Sequence, residues 1–217
     1  EVASAMNEVY ASGTNLPDAV SIGILTENNI VQGVAERLKR YKAHTIVIDP
    51  AIISEDGQVL VTEEVYNSIE SKLFPLATII TPNPYELELI AGFEVHSEDD
   101  MVKAARELSI KYRCAVFVKG FNSFGTDVLV NGNEFSWIPR NDGQVDVKYS
   151  YSTALACMLP DCESLEQACT SASQFTFGVK KEEKEVKNVI PFTLNPTASS
   201  MEIRPKAVES EAVVKDT

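Results

Sequence analysis

The sequence predicts an α/β fold: a three-layer sandwich, with a mostly parallel sheet covered by helices and an antiparallel β-hairpin at one edge. Three observations predict it. Short, nearly continuous apolar runs at 19–24, 45–48, 77–80 and 115–118 alternate with segments of helical periodicity. Uninterrupted apolar strands belong to sheets buried on both faces. Past residue 125 the texture changes to two strand-like runs flanking Asn131-Gly132-Asn133, and Asn-Gly in that setting is a strong hairpin signal.

Each element has its own local reason. Ala19 to Ile24 follows a Pro-Asp turn and reads as a buried strand. Ile30 to Tyr41 places Val31, Val34, Ala35 and Leu38 on one face of a helix, with Asn28 or Asn29 as cap. Thr45 to Ile48 is mostly β-branched and stops at Asp49-Pro50. Val61 to Leu73 reads as a helix capped by Thr62, with Glu63 and Glu64 suiting its positive end. Ala77 to Ile80 is a third strand, ended by Thr81-Pro82-Asn83-Pro84, and Tyr85 to Ala91 a short helix. Ser97 caps a helix with Met101, Val102, Ala105 and Leu108 on one face. Ala115 to Val118 is the fourth strand, ending at Lys119-Gly120. The hairpin strands are 126–130 and 134–138, and Tyr151 to Leu159 and Leu165 to Phe177 close the body as helices. Residues 180–217 carry a mixed charge run and then Pro191, Pro196 and Pro205 in a Ser/Thr/Glu-rich stretch, so 1–179 reads as the domain and 180–217 as a partly disordered extension. Val189 to Phe192 is the one piece that would pack as a strand.

Composition excludes several classes. The chain has 217 residues and a net charge of -13, all of it in 1–179 because the tail balances seven cations against seven acids. So acidic a body repels phosphate backbones, which argues against nucleic acid as partner and requires a metal ion or a local positive site for any anionic substrate. No apolar run is long enough to span a membrane, and the N-terminus has no signal-peptide pattern. The absence of an initial Met suggests a piece of a longer chain. Cys114, Cys157, Cys162 and Cys169 contain no CxxC pair and read as buried free thiols in a reducing compartment, hence a cytoplasmic protein. His44 and His96 are too isolated in sequence for a metal site or a catalytic triad, Gly120 to Gly125 is not a P-loop, and Trp137 reads as packing.

In an α/β sheet, ligands bind beyond the carboxyl ends of the strands. That rule selects Gly23-Ile24, Asp49-Pro50, Thr81-Pro82-Asn83 and Lys119-Gly120. Asn83 and Glu86, at a helix start, could share the water shell of a nucleotide's Mg²⁺. The same spacing is that of a capping box, the ordinary reading of the motif alone. Asp49 could reach metal waters or merely end a strand before Pro50; Lys119 beside Gly120 suits a phosphate oxygen or is a surface lysine.

Taken in order, Val20-Ser21-Ile22-Gly23-Ile24-Leu25, Val47-Ile48-Asp49-Pro50, Thr81-Pro82-Asn83-Pro84-Tyr85-Glu86, Val116-Phe117-Val118-Lys119-Gly120 and Thr126-Asp127-Val128-Leu129 resemble the hydroxymethylpyrimidine/phosphomethylpyrimidine kinases of the ribokinase-like superfamily. The resemblance runs from about residue 1 to 179 and implies a ribokinase-like fold and ATP-dependent phosphorylation of hydroxymethylpyrimidine or its phosphate in thiamine synthesis. By resemblance, Asp49 and Glu86 would organise Mg²⁺, Asn83, Glu86, Lys119 and Gly120 would face the nucleotide and its phosphates, and Gly23, Ile24 and Ala51 would line the small-molecule substrate. A homodimer is a further expectation.

Two departures qualify that expectation. The Gly-rich opening of the family has no counterpart here, so the chain reads as lacking an N-terminal portion. The family's Gly-Thr-Gly-Cys or Gly-Thr-Gly-Asp signature, an anion hole with its catalytic base, falls at Asp146, Val147, Lys148 and Tyr149, where no glycine remains. Val147 and Tyr149 resist positive φ, and Asp146 repels phosphate. The expectation is therefore a divergent kinase homologue of weak or absent catalysis. A non-catalytic nucleotide- or pyrimidine-binding module and a pyridoxal kinase-like enzyme stand as alternatives.

Overall fold

The computed structural model describes residues 2–11, 16–120, 127–138 and 150–178. The chain divides into two compact units, 1–182 and 183–217, and the described residues all belong to the first. The expectations for 180–217 and for Asp146 to Tyr149 lie outside the described residues.

A six-stranded sheet forms the middle layer, in the order β1 (Val20–Ile22), β2 (Ile46–Ile48), β3 (Ile79–Ile80), β4 (Ala115–Val118), β5 (Asp127–Asn131), β6 (Glu134–Ile138). The first four strands are parallel, and β5 and β6 are antiparallel additions. Gly132, at φ +62, makes the hairpin turn where a residue with a Cβ would be strained.

Period-two alternation divides the core. Ile46, Ile48, Ile80, Val116, Val118, Val128 and Val130 point to one side. There they meet α2 (Asn28–Arg40), α3 (Glu63–Lys72), α4 (Pro84–Ala91) and α5 (Glu98–Tyr112). Val47, Ile79, Ala115, Phe117 and Leu129 point to the other, against α6 (Tyr151–Met158) and α7 (Leu165–Gly178). Helices joining strands laid down in simple succession all fall on one face, because the crossovers share one hand. The opposite face is left to the helices that follow the hairpin.

Several local expectations are met. Thr62 caps α3 by accepting from Val65 N, and Ser97 caps α5 by accepting from Asp100 N. Others are corrected. The cap position of α2 is Glu27, which makes no side-chain cap bond. Asn28 lies one residue inside, and its amide side chain bonds Glu64 and Ser68 of α3, so a tertiary contact overrides a capping preference. Residues 2–11, unassigned above, form α1 (Val2–Ala11), held to α2 by the Tyr10–Tyr41 ring stack at 4.5 Å and by Arg37 Nε donating to Ala3 O. All four cysteines are free thiols, but only Cys114 and Cys169 are buried; Cys157 lies on the solvent side of α6. Trp137, on the edge strand β6, is 38% exposed and meets Phe135 edge-on.

Candidate active site at the carboxyl rim of the sheet

The carboxyl ends of β1 to β4 are stitched together by backbone bonds. Asp49 N donates to Ile22 O, Thr81 N to Ile48 O and Lys119 N to Pro82 O. These bonds bring Gly23, Asp49, Asn83 and Lys119 onto one rim.

Behind the rim, Asn83 and Glu86 form a complete capping box. Asn83 Oδ1 accepts from Glu86 N at 3.0 Å, and Glu86 Oε2 accepts from Asn83 N at 2.9 Å. The pair also crosses to the loop after β2. Glu86 Oε1 accepts from Ile52 N at 2.7 Å and Ile53 N at 3.3 Å, and Asn83 Nδ2 donates to Ile53 O at 2.7 Å. Glu86 is 1% exposed. Burial pushes its carboxyl up and the nearby charge of Asp49 pushes the same way, while the three backbone donors pull it down. Ala51, just before the clamped segment, sits at φ +47, a left-handed conformation that costs an alanine about 1–2 kcal/mol. The clamp on Ile52 and Ile53 is what holds that turn.

In front of the clamp lies a polar cluster. Asp49 Oδ2 accepts from Lys119 Nζ at 3.4 Å and from Ser152 Oγ at 3.2 Å. Ser150 Oγ bonds Ser152 Oγ. A carboxylate accepts only, so Ser152 donates to Asp49 and Ser150 donates to Ser152. Asp49 Oδ1 accepts no hydrogen bond from the described residues. The Asp49 and Lys119 side chains are 20% and 14% exposed, so the ion pair is shielded on most sides. Ser150 is the N-cap residue of α6 but makes no side-chain cap bond, so the first amides of that helix are not satisfied by it.

The remaining candidates sit as follows. Gly120 is buried and its N–H donates to Asp127 Oδ1 at 2.7 Å, so it offers close approach rather than a free amide. Ile24 is half exposed, and a Cβ on Gly23 would meet nothing within 4 Å, so the rim beside β1 is open. Ser152 is the residue that sequence reasoning missed. It contacts Asp49 across 103 residues, and locally it is only a serine at a helix start.

The donor set suits a Mg²⁺ ion in one particular way. No cluster of three or more His, Cys, Asp or Glu side chains gathers among the described residues. Glu86 is 1% exposed and both its oxygens accept backbone N–H groups, so it is less well placed than Asp49 to touch such an ion directly. Asp49 fits, with one oxygen oriented by two donors and the other accepting no hydrogen bond from the described residues. Mg²⁺ commonly takes one or two carboxylates, its waters and the phosphates of its nucleotide.

A mostly parallel sheet with helices packed on both faces makes this a three-layer α/β protein of ribokinase-like fold. The family model of phosphomethylpyrimidine kinase matches residues 4–191, and the chain belongs to that family. A hydroxymethylpyrimidine/phosphomethylpyrimidine kinase of Bacillus subtilis is 29% identical over 169 residues, covering 73% of this chain and 62% of its own. The Streptomyces coelicolor kinase of the same name is 32% identical over 167 residues, covering 74% and 61%. The chain thus spans about three fifths of the length of these relatives. Among solved structures, phosphomethylpyrimidine kinase from Clostridium difficile superposes with a TM-score of 0.71 at 28% identity, over 80% of this chain and 73% of that one. An ADP complex of Bacillus subtilis pyridoxal kinase gives 0.66 at 25% identity, over 79% and 67%.

Proposed function

We propose that residues 1–179 act as a phosphomethylpyrimidine kinase-like domain that binds Mg²⁺·ATP and a hydroxymethylpyrimidine-type substrate along the rim, with slow phosphoryl transfer. The observation that carries the reading is the contact of Asp49 with both Lys119 and Ser152, in a chain of this family. When bound, Mg²⁺ neutralises polyphosphate charge. Asp49 Oδ1 is available to the ion or its waters, and Lys119 puts a local positive charge at the rim of a chain whose net charge is -13. Asn83 and Glu86 act from behind, by holding the loop that carries Ala51. Gly23, Ile24 and Ala51 form the substrate side.

Slow transfer follows from Asp146 to Tyr149, which contain no glycine to build an anion hole. Loss of one such donor costs on the order of 10²–10³ in rate. Incubation with ATP, Mg²⁺ and hydroxymethylpyrimidine or its monophosphate tests the reading, with product followed by mass spectrometry and ADP binding by thermal shift. ADP should raise the melting temperature while turnover stays at least about 10²-fold below that of a relative with the glycine signature. Absence of a shift would sink the reading; fast turnover would overturn its slow-transfer component. Pyridoxal is the parallel arm, because a pyridoxal kinase shares this fold.

A further inference from the structure

We propose that Ser152 is a positioning residue for Asp49: it holds Oδ2 of the carboxylate so that Oδ1 is presented to the magnesium ion carried by the nucleotide. The inference rests on the nucleotide-binding reading above and adds a residue and a role to it.

Four observations carry it. Ser152 is 2% exposed, so its hydroxyl does not exchange its partner for bulk water. The hydroxyl has one proton, and that proton goes to Asp49, since Ser150 fills the acceptor side. Ser152 and Lys119 reach the same oxygen, Oδ2, from two different elements, the start of α6 and the end of β4, 103 and 70 residues beyond Asp49. Two donors on one oxygen fix the rotation of the carboxyl plane, which a lone lysine on a flexible stem at 3.4 Å does not. Finally, Ser152 lies in the first turn of an eight-residue helix whose head is seated by the Phe117–Tyr151 ring stack at 4.4 Å and by Tyr151 OH donating to Cys169 O at 3.0 Å. The hydroxyl is therefore delivered from a rigid element rather than a loop.

The test is the Mg²⁺ dependence of ADP binding to the full chain, read by calorimetry on the wild type, Ser152→Ala, Ser152→Thr and Ser152→Cys. A hydrogen bond to a charged group corresponds to about a tenfold effect. Ser152→Ala should raise the Mg²⁺ midpoint by about that factor while affinity for metal-free ADP is unchanged. Ser152→Thr, which keeps the hydroxyl, should restore the midpoint. Ser152→Cys, a weak donor of similar size, should fall between, and it serves as the reporter if the alanine variant unfolds. Superimposable Mg²⁺ curves for wild type and the Ala and Cys variants would overturn the proposal, as would an equal loss of metal-free ADP affinity. A wild type that binds no ADP at any Mg²⁺ concentration would bring down the functional reading itself, an outcome distinct from the other two.

Discussion

Glu86 and Ile52, 34 residues apart, are joined by a buried hydrogen bond in which a carboxylate oxygen of one accepts the backbone N–H of the other at 2.7 Å. The bond ties the start of α4 to the loop after β2, and the same side chain closes the capping box of its own helix. A pair of residues that the sequence offers as magnesium organisers is thus also a structural clamp.

Replacing Glu86 with Gln should therefore be a stability variant first. The amide nitrogen cannot accept, so at least one buried N–H among Asn83, Ile52 and Ile53 loses its partner. A cost of about 1–3 kcal/mol is expected, read as a lower urea midpoint with an unchanged m-value.

Ala51→Gly should have the opposite sign. The left-handed backbone at φ +47 costs alanine about 1–2 kcal/mol, and glycine's extra freedom in the unfolded chain returns about 0.5–1 of that. A net gain of about 0.5–1 kcal/mol in chemical denaturation is expected. A loss would show that the alanine methyl group makes a packing contact worth more than the strain.

The stack under α6 is open to a similar measurement. Phe117 is fully buried against Tyr151, and truncation to alanine should cost about 3–5 kcal/mol. Tyr151→Phe keeps the ring and loses only the bond to Cys169 O, for about 1 kcal/mol. Both are read from unfolding midpoints, and a Phe117→Ala cost near that of Tyr151→Phe would refute the stack as the seat of α6.

Acid should weaken a second cluster, which joins Glu70 of α3 to Lys111 and Tyr112 of α5. Burial alone would raise the Glu70 carboxyl, but bonds from Lys111, Tyr112 and Tyr66 outweigh it and hold it below its ordinary value. A carboxyl lowered on folding stabilises the protein above its unfolded pKa of about 4.3, and that contribution is lost as pH falls through the lower folded value. Glu70→Gln should cost about 1 kcal/mol at pH 7, a modest figure because Lys111 is partly exposed. The gap between variant and wild type should close on acidification below about pH 4. A constant gap from pH 7 to pH 3 would contradict the assignment.

Asp49→Asn tests the rim. It keeps the shape but replaces a carboxylate that pairs with Lys119. On the functional reading, ADP binding should lose its Mg²⁺ dependence and any phosphoryl transfer should fall by at least about 10²-fold. Retention of the Mg²⁺ response in calorimetry would remove Asp49 from the site.

What the amino-acid sequence determined by itself was everything written in local patterns: four apolar strands, the periods of α2 and α5, the caps at Thr62 and Ser97, and the Asn131-Gly132 hairpin. These follow from backbone sterics and from burial with a period of two or 3.6 residues, which neighbouring residues decide. The rim was legible too, because parallel strands end at a common edge. Only the tertiary structure decided that Asn28 bridges two helices, that Glu86 spends its oxygens on Ile52, Ile53 and Asn83, and that Ser152 meets Asp49. Each is a polar contact between residues distant in the chain or a choice among competing partners. A hydrogen bond has no periodicity to betray it, and its partner is set by where the packed helices come to rest.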